Sequence, residues 1–252
     1  MARRKSNRDI NQSRKTLAKH AKRLENKLEQ RRLIILACED EKSARFYFEC
    51  YFELLKAARK LSGLSCVVAT HQHTDPTGVL KDLLNFRDVY GNTYKDYDHR
   101  WIVIDRDEEL CGGGGHTLQN FNEALQKASK NRPAIKVAWS NPSFEVWYLL
   151  YFHYHNTAID RDQVIVKLKQ AMSTPYEKND PDMFSKLSNL EKPQGREFAI
   201  RNARRLHDDA KQTGLQPADT NPGTSVYELV EVLLQLQSPT QDTATLQPIT
   251  SE

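Results

Sequence analysis

Acidic side chains follow two apolar runs of this sequence, at the point where each run ends. Glu39 comes directly after residues 33–38, and residues 101–105 end on Asp105, with Asp107 two residues further. Continuous apolar runs of this length are typical of buried parallel strands, and open α/β sheets bind ligands at the carboxyl edge of their strands. If the two strands are neighbours, three carboxylates meet there and raise one another's pKa. Mg²⁺ with a phosphate ester is the usual way to offset such charge, so the pattern predicts metal-dependent phosphate chemistry.

A further acid lies in the stretch from Ser140 to Leu150. Pro142 is suited to the first turn of a helix with Asn141 as its cap, which places Glu145 in that first turn. Glu145 either satisfies the positive end of the helix or reaches into the carboxylate cluster. The residues by themselves favour the first interpretation.

The composition allows one large domain or two modest ones in 252 residues, of which 38% are hydrophobic. We find no apolar run near the ~20 residues that a membrane span requires, and no apolar segment behind the basic N-terminus that would indicate a secretory signal. The four cysteines are widely spaced. This spacing favours reduced thiols in a cytoplasmic protein over a disulfide pair or a metal site.

The net charge of +4 is unevenly distributed. Residues 1–32 carry twelve Lys or Arg and three Asp or Glu, whereas the remaining residues carry 25 basic and 30 acidic side chains. Leu17, Ala21, Leu24 and Leu28 follow a helical spacing within this basic arm. The arm is equally compatible with contact to a nucleic-acid backbone and with a solvated leader that binds nothing.

Apolar runs alternate with helical patterns in the first part of the chain. About four strands are predicted at 33–38, 64–69, 101–105 and 134–139, with helices at 43–61, from 75 onward and at 117–130. The first helix is expected to face inward through Phe46, Cys50, Leu54 and Ala58. This order predicts an α/β fold in which a parallel sheet is flanked by helices.

No strand is expected after residue 160. Helices are predicted at 160–173, 182–190, 195–213 and 224–237, as a C-terminal helical extension beside the sheet. The expected organisation is a basic, partly helical arm at 1–32, an α/β domain at 33–156, the helical extension at 157–237 and a disordered Ser/Thr/Gln/Pro-rich tail at 238–252.

Four motifs in this order give the chain a specific resemblance. The sequence resembles the RloB-like (AbiLii-type) family in Cys38-Glu39-Asp40-Glu41-Lys42, Asp105-Arg106-Asp107-Glu108, Ser140-Asn141-Pro142-Ser143-Phe144-Glu145-Val146-Trp147 and Asn221-Pro222-Gly223-Thr224-Ser225-Val226-Tyr227. The chain departs from the family pattern at Asp40, where the family usually has glycine, at Ser43-Ala44 in place of Thr-Glu, and at Tyr151 in place of histidine.

The resemblance implies a Toprim domain, the metal-binding α/β module of topoisomerases, primases and several nucleases. It implies that Glu39 is the Toprim glutamate, that Asp105 and Asp107 form the Asp-x-Asp pair, and that Glu145 is a further catalytic residue of the site. It also implies bacterial anti-phage defence by abortive infection, often beside an AAA/SMC-like ATPase.

The first hypothesis is therefore a nuclease that uses Mg²⁺ or Mn²⁺ on RNA, such as tRNA, or on DNA. Glu39, Asp105 and Asp107 would bind the metal, with Glu39 as an alternative general acid or base, and Lys42 and Arg106 would either neutralise the phosphate or merely offset nearby acids. The alternative is a catalytically weak binding or regulatory subunit of the ATPase complex, which the departures at Asp40 and Ala44 favour. Self-association is compatible with both hypotheses.

Overall fold

The computed structural model describes residues 32–59, 61–107, 117–172, 176–178 and 180–237. Its centre is a five-stranded sheet in the order β2-β1-β3-β4-β5, in which the first four strands are parallel and β5 is antiparallel to β4. The strands are β1 (Ile34–Cys38), β2 (Cys66–Val68), β3 (His99–Asp105), β4 (Lys136–Asn141) and β5 (Gly223–Thr224). The predicted α/β fold with its parallel sheet is confirmed.

Helices cover both faces of this sheet. They are α1 (Ser43–Arg59), α2 (Pro76–Asn85), α3 (Leu118–Lys130), α4 (Glu145–Leu149), α5 (Arg161–Ala171), α6 (Met183–Ser188), α7 (Arg196–Gln212) and α8 (Val226–Gln237). Short 3₁₀ turns lie at Tyr94–Asp96 and Pro217–Asp219. Among the described residues, no helix is both long and apolar enough to cross a membrane.

Alternate strand residues supply two separate hydrophobic cores. Ile34 and Leu36 belong to the larger core, which also contains buried residues of α1 and of the helices from α4 to α8. Ile35 and Ala37 face the smaller core, which contains residues of α2 and α3. This alternation follows from the two-residue period of a strand and makes β1 a fully buried central element.

The inward face of α1 differs from our prediction. Leu54 is exposed, whereas Tyr47, Phe48, Tyr51, Phe52 and Leu55 are buried. More than one face of this helix is apolar, and the face that carries most of the aromatic rings packs against the sheet. The buried set has four aromatic rings, whereas the predicted set has one, at Phe46, so burying the observed set removes more apolar surface from water.

A fifth strand corrects the expectation that no strand follows residue 160. Gly223 and Thr224 pair with the end of β4, and Ser225 N donates a 2.8 Å hydrogen bond to Trp139 O. The side chain of Ser225 accepts a bond from Trp139 N at 2.9 Å. Two residues are too few to produce a strand period, so the sequence held no strand signal here.

The predicted segments at 1–32 and 238–252 lie outside the described residues, apart from Arg32. The boundary predicted near residue 157 stays a prediction.

Candidate functional site

The ends of β1 and β3 lie side by side at the carboxyl edge of the sheet. Cys38 pairs with Val103, and Glu39 N donates a 2.9 Å hydrogen bond to Val103 O. Asp105 N in turn donates to the Glu39 Oε2 carboxylate oxygen at 3.0 Å. The backbone of one strand end therefore fixes the carboxylate of the other, and Glu39 and Asp105 come together.

Asp105 is the buried member of this group, with 6% of its surface exposed. Burial raises the pKa of Asp105 well above its ordinary value, and the negative charges of Asp107, Glu39, Glu145 and Asp40 raise it further. These four carboxylates and Asp105 are called the acidic cluster from here on. The cluster stores electrostatic repulsion that a cation would relieve.

Asp107 makes an ion pair in the described structure. Its Oδ2 oxygen lies 2.9 Å from Nη1 of Arg161, the first residue of α5. The Asp107 side chain is 19% exposed and that of Arg161 is 36% exposed, so the pair is partly shielded from solvent. Burial alone would lower the pKa of Arg161, but the charge of Asp107 and then of other cluster members raises it overall.

The two cations that we predicted as phosphate contacts lie at the same edge. Lys42 is exposed at the start of α1, and Arg106 is half-buried between the two aspartates. Arg106 donates from Nη1 to Asp107 O at 3.1 Å, and its Nε is buried without a hydrogen-bond partner among the described residues. The structure thus places both near the acidic cluster, and their contact with phosphate stays a prediction.

Glu145 lies almost wholly inside the protein, with 1% of its surface exposed. Its Oε1 oxygen accepts hydrogen bonds from Ser43 Oγ at 2.7 Å and from Tyr176 OH at 2.9 Å. Its Oε2 oxygen accepts a bond from Ser143 Oγ at 2.7 Å. The carboxylate therefore joins the start of α1, the loop after β4 and the segment between α5 and α6.

These contacts keep Glu145 ionised. Burial by itself would raise the pKa of Glu145, but the positive charge of Lys178 and the hydroxyl bonds from Ser143 and Ser43 outweigh it and lower the pKa below its ordinary value. Glu145 and Asp105 thus interact electrostatically, yet their pKa values move in opposite directions.

Asp40 accepts hydrogen bonds at the start of α1. Its Oδ1 oxygen accepts from Lys42 N at 2.8 Å and its Oδ2 oxygen accepts from Ser43 N at 3.0 Å. Lys178 lies 3.8 Å from the same carboxylate. These contacts satisfy backbone donors that a helix start leaves open.

The predicted helix cap at Asn141 is wrong. Asn141 is the last residue of β4, and its Nδ2 donates to Ala218 O at 3.0 Å. Helix α4 begins only at Glu145, with Phe144 in the cap position and no side-chain cap bond. Strand pairing and the contact to residue 218 hold Asn141, so its side chain is not available to a helix start.

The donor chemistry of the acidic cluster fits a divalent cation, because Mg²⁺ and Mn²⁺ prefer carboxylate oxygens. Burial is the main cause of the raised pKa of Asp105, and the nearby carboxylates of Asp107, Glu39, Glu145 and Asp40 raise it further. Within the part of the chain that the structure describes, no three His, Cys, Asp or Glu side chains form a ready-made metal-binding group. The Oδ2 oxygen of Asp107, one of the proposed ligands, is paired with Arg161.

A cleft of about 330 Å³ opens beside the acidic cluster. Its lining includes Asp107, Pro142, Asn221 and the residues that lead into α5, up to Arg161. The cleft is therefore continuous with one carboxylate and one guanidinium of the site.

Arg161 and Tyr176 of this site escaped the sequence analysis. Arg161 is brought in by α5, whose start was visible in the Asp160 and Gln163 capping pattern, but that pattern does not reveal an ion pair with a residue 54 positions earlier. Tyr176 comes from an irregular segment and carries no sequence signal at all.

The comparisons with known proteins gave one match. The model of a family described as RloB-like protein matches residues 34–233. This span contains β1 to β5, every described member of the acidic cluster, and Arg161. Searches of curated proteins and of solved structures returned no match.

Proposed function

The chain belongs to the RloB-like family, and from this premise we propose that it is a Mg²⁺- or Mn²⁺-dependent nuclease that hydrolyses phosphodiester bonds of RNA or DNA. We propose further that it is an effector of bacterial abortive infection, encoded with an AAA/SMC-like ATPase partner, and that its core is of the Toprim type. The observation that carries the proposal is the meeting of Glu39 and the buried Asp105 at the carboxyl edge of the sheet, where Asp105 N donates to Glu39 Oε2 at 3.0 Å.

The positions of Asp105, Asp107 and Glu39 support this chemistry. Asp105 and Asp107 offer carboxylates two residues apart at the end of β3, and the hydrogen bond from Asp105 N holds Glu39 beside them. A divalent cation bound there supplies polarisation of the phosphate and a lowered pKa of water. Glu39 is assigned to complete the ligand set or to accept the proton of the attacking water.

Glu145 is assigned a positioning role in this proposal. Both of its carboxylate oxygens accept hydroxyl hydrogen bonds, so it holds the start of α1 and the loop after β4 around the acidic cluster. Lys42 and Arg106 are assigned to the phosphate backbone, since both lie at the same edge. The basic arm, residues 1–32, adds an electrostatic attraction to the phosphate backbone that does not depend on the nucleotide sequence.

A cleavage assay with Glu39→Gln tests the proposal. Purified protein is incubated with single-stranded RNA, tRNA and DNA in Mg²⁺ or Mn²⁺, and we expect wild-type protein to cleave at least one of them and Glu39→Gln to be slower by about a hundredfold or more. Glu123→Gln removes a partly exposed glutamate of α3 that pairs with Lys127, and it should cleave as wild type does. If Glu39→Gln cleaves at the wild-type rate, Glu39 has no part in the mechanism. Sequencing of nucleic-acid ends after expression of the protein would identify the substrate.

The second candidate is a binding or regulatory subunit of the ATPase complex. The ion pair between Asp107 and Arg161 favours it, because a guanidinium already neutralises one proposed metal ligand. The two candidates differ in metal binding, which the second does not need.

A further inference from the structure

Arg161 lies where the acidic cluster meets the cleft, and the protein fixes the segment that carries it. Asp160 caps α5 by accepting a 2.8 Å hydrogen bond from Gln163 N. Ile159 N donates to Asn221 Oδ1 at 3.1 Å, which ties the residue before the cap to the segment leading into β5. The backbone on the N-terminal side of Arg161 is therefore anchored to two different elements.

The carboxylates of the acidic cluster would repel a polyanion from this cleft if no positively charged group lay beside them. Asp107 lines the cleft together with Arg161, whose guanidinium is charged at any ordinary pH and lies 2.9 Å from the Asp107 carboxylate. Among the described residues, the Arg161 side chain makes one hydrogen bond, from Nη1 to Asp107 Oδ2. A guanidinium carries several N–H donors in a planar fork that matches phosphate oxygens, so donors remain for a ligand in the cleft.

We infer that Arg161 is the residue that binds a non-bridging oxygen of the substrate phosphodiester in the cleft, while Asp107 holds the guanidinium in position until the substrate enters. The inference rests on the proposed function and adds a residue to it. The assigned ligand is a phosphodiester because the cleft joins this fixed guanidinium to the carboxylates proposed to act on phosphate. Phosphate is common to RNA and DNA, so the contact does not depend on the sugar.

Oligonucleotide binding without metal tests this inference. The affinity of fluorescein-labelled single-stranded RNA, and of DNA of the same sequence, is measured by anisotropy in EDTA at several salt concentrations. We expect Arg161→Gln to weaken binding of both by about tenfold or more, because it removes a hydrogen bond to a charged group. The slope of log affinity against log salt should become shallower by about 0.7, the change expected for one lost phosphate contact on a single strand.

The matched control is Arg132→Gln, which removes an exposed arginine between α3 and β4, at the opposite edge of the sheet. It should leave affinity and slope near their wild-type values. If Arg161→Gln binds like Arg132→Gln, the inference is wrong. If the glutamine variant does not fold, Arg161→Lys replaces it: we expect weaker binding with an unchanged salt slope, and wild-type affinity would contradict the inference.

A double-substitution cycle separates a direct contact from general electrostatics. Asp107→Asn releases the guanidinium and should strengthen metal-free binding, and this gain should be lost in the Asp107→Asn/Arg161→Gln double variant. An equal gain in both backgrounds would mean that only the removed negative charge matters, which would contradict the inference.

Failure of the inference and failure of the proposed function give different results. Cleavage by wild-type protein together with undiminished binding by Arg161→Gln contradicts the inference alone. Arg161-dependent binding without cleavage in any divalent metal contradicts the proposed nuclease activity and leaves Arg161 as a phosphate-binding residue.

Discussion

Replacing Asp105 by asparagine is expected to lower the rate of nucleic-acid cleavage by about a thousandfold or more while leaving the protein folded. The substitution keeps the size of the side chain and removes the charge that the proposed mechanism needs at the centre of the acidic cluster. A metal-bound site contributes several kcal/mol to the stabilisation of transition-state charge, and about 4 kcal/mol corresponds to a thousandfold change in rate.

The same substitution should stabilise the protein at neutral pH. The pKa of Asp105 is raised in the folded state by burial and by Asp107, Glu39, Glu145 and Asp40. The carboxyl group of Asp105 therefore keeps its proton to a higher pH in the folded protein than in the unfolded chain. The stability that this proton contributes is present below the pKa that Asp105 has in the unfolded chain. It is lost as the pH rises through the pKa that Asp105 has in the folded protein. Asp105→Asn removes this loss, and we therefore expect the variant to have a higher free energy of unfolding than wild type at pH 7.

Cleavage rates and urea denaturation at pH 4 and pH 7 measure the two effects on one set of proteins. Asp208→Asn, at an exposed position of α7, is the control and should change neither quantity. Loss of activity together with gain of stability is the signature of a charge held at a functional site. Loss of activity with a large loss of stability would instead make Asp105 a structural residue.

Replacing Glu145 by alanine is expected to lower the free energy of unfolding by about 2–4 kcal/mol at pH 7. The carboxylate is the shared acceptor of the hydroxyl groups of Ser43, Ser143 and Tyr176, which come from three separate segments. Its removal leaves these buried donors without their partner and also creates a cavity. Denaturant unfolding measures the change.

The control for this prediction is Glu53→Ala, because Glu53 is a glutamate of α1 whose side chain is 75% exposed and pairs with Lys56. We expect it to change stability by no more than about 0.5 kcal/mol. Equal stabilities of Glu145→Ala and Glu53→Ala would contradict the role of Glu145 as the residue that joins the three segments.

Glu145 and Asp105 should affect the pH dependence of stability in opposite directions. The pKa of Glu145 is lowered in the folded state, since the charge of Lys178 and the hydroxyl bonds outweigh burial. Its contribution is therefore present above the unfolded pKa and is lost as pH falls through the folded pKa. The stability difference between wild type and Glu145→Ala should narrow as the solution is acidified and Glu145 becomes protonated, whereas the gain in stability from Asp105→Asn should be greater at neutral than at acid pH.

The strand ends of this site could be predicted from sequence because apolar runs followed by acids carry both a fold signal and a chemical signal. β1 and β3 begin and end within two residues of their predicted positions, and the structure pairs them as neighbours. The helix start at Asp75 was also predictable, since Pro76 follows it and its carboxylate accepts from Gly78 N. Local chemistry fixed these features.

The remaining features depend on contacts between distant segments. The hydroxyl of Tyr176 reaches Glu145 across 31 positions, and Arg161 reaches Asp107 across 54. Neither contact leaves a periodic or local pattern in the sequence. Asn141 also depends on a distant contact. Its sequence context predicted a helix cap, but it pairs as the last residue of β4 and its side chain donates to Ala218 O.

Binding of Mn²⁺, followed by electron paramagnetic resonance with and without an oligonucleotide, tests the central claim most directly. The account predicts that wild-type protein binds Mn²⁺, that Mg²⁺ competes for the same site, and that Asp105→Asn weakens binding by about tenfold or more. A wild-type protein that binds no Mn²⁺ even with nucleic acid present, or an Asp105→Asn variant that binds it equally well, would contradict the claim that this acidic cluster is a metal centre.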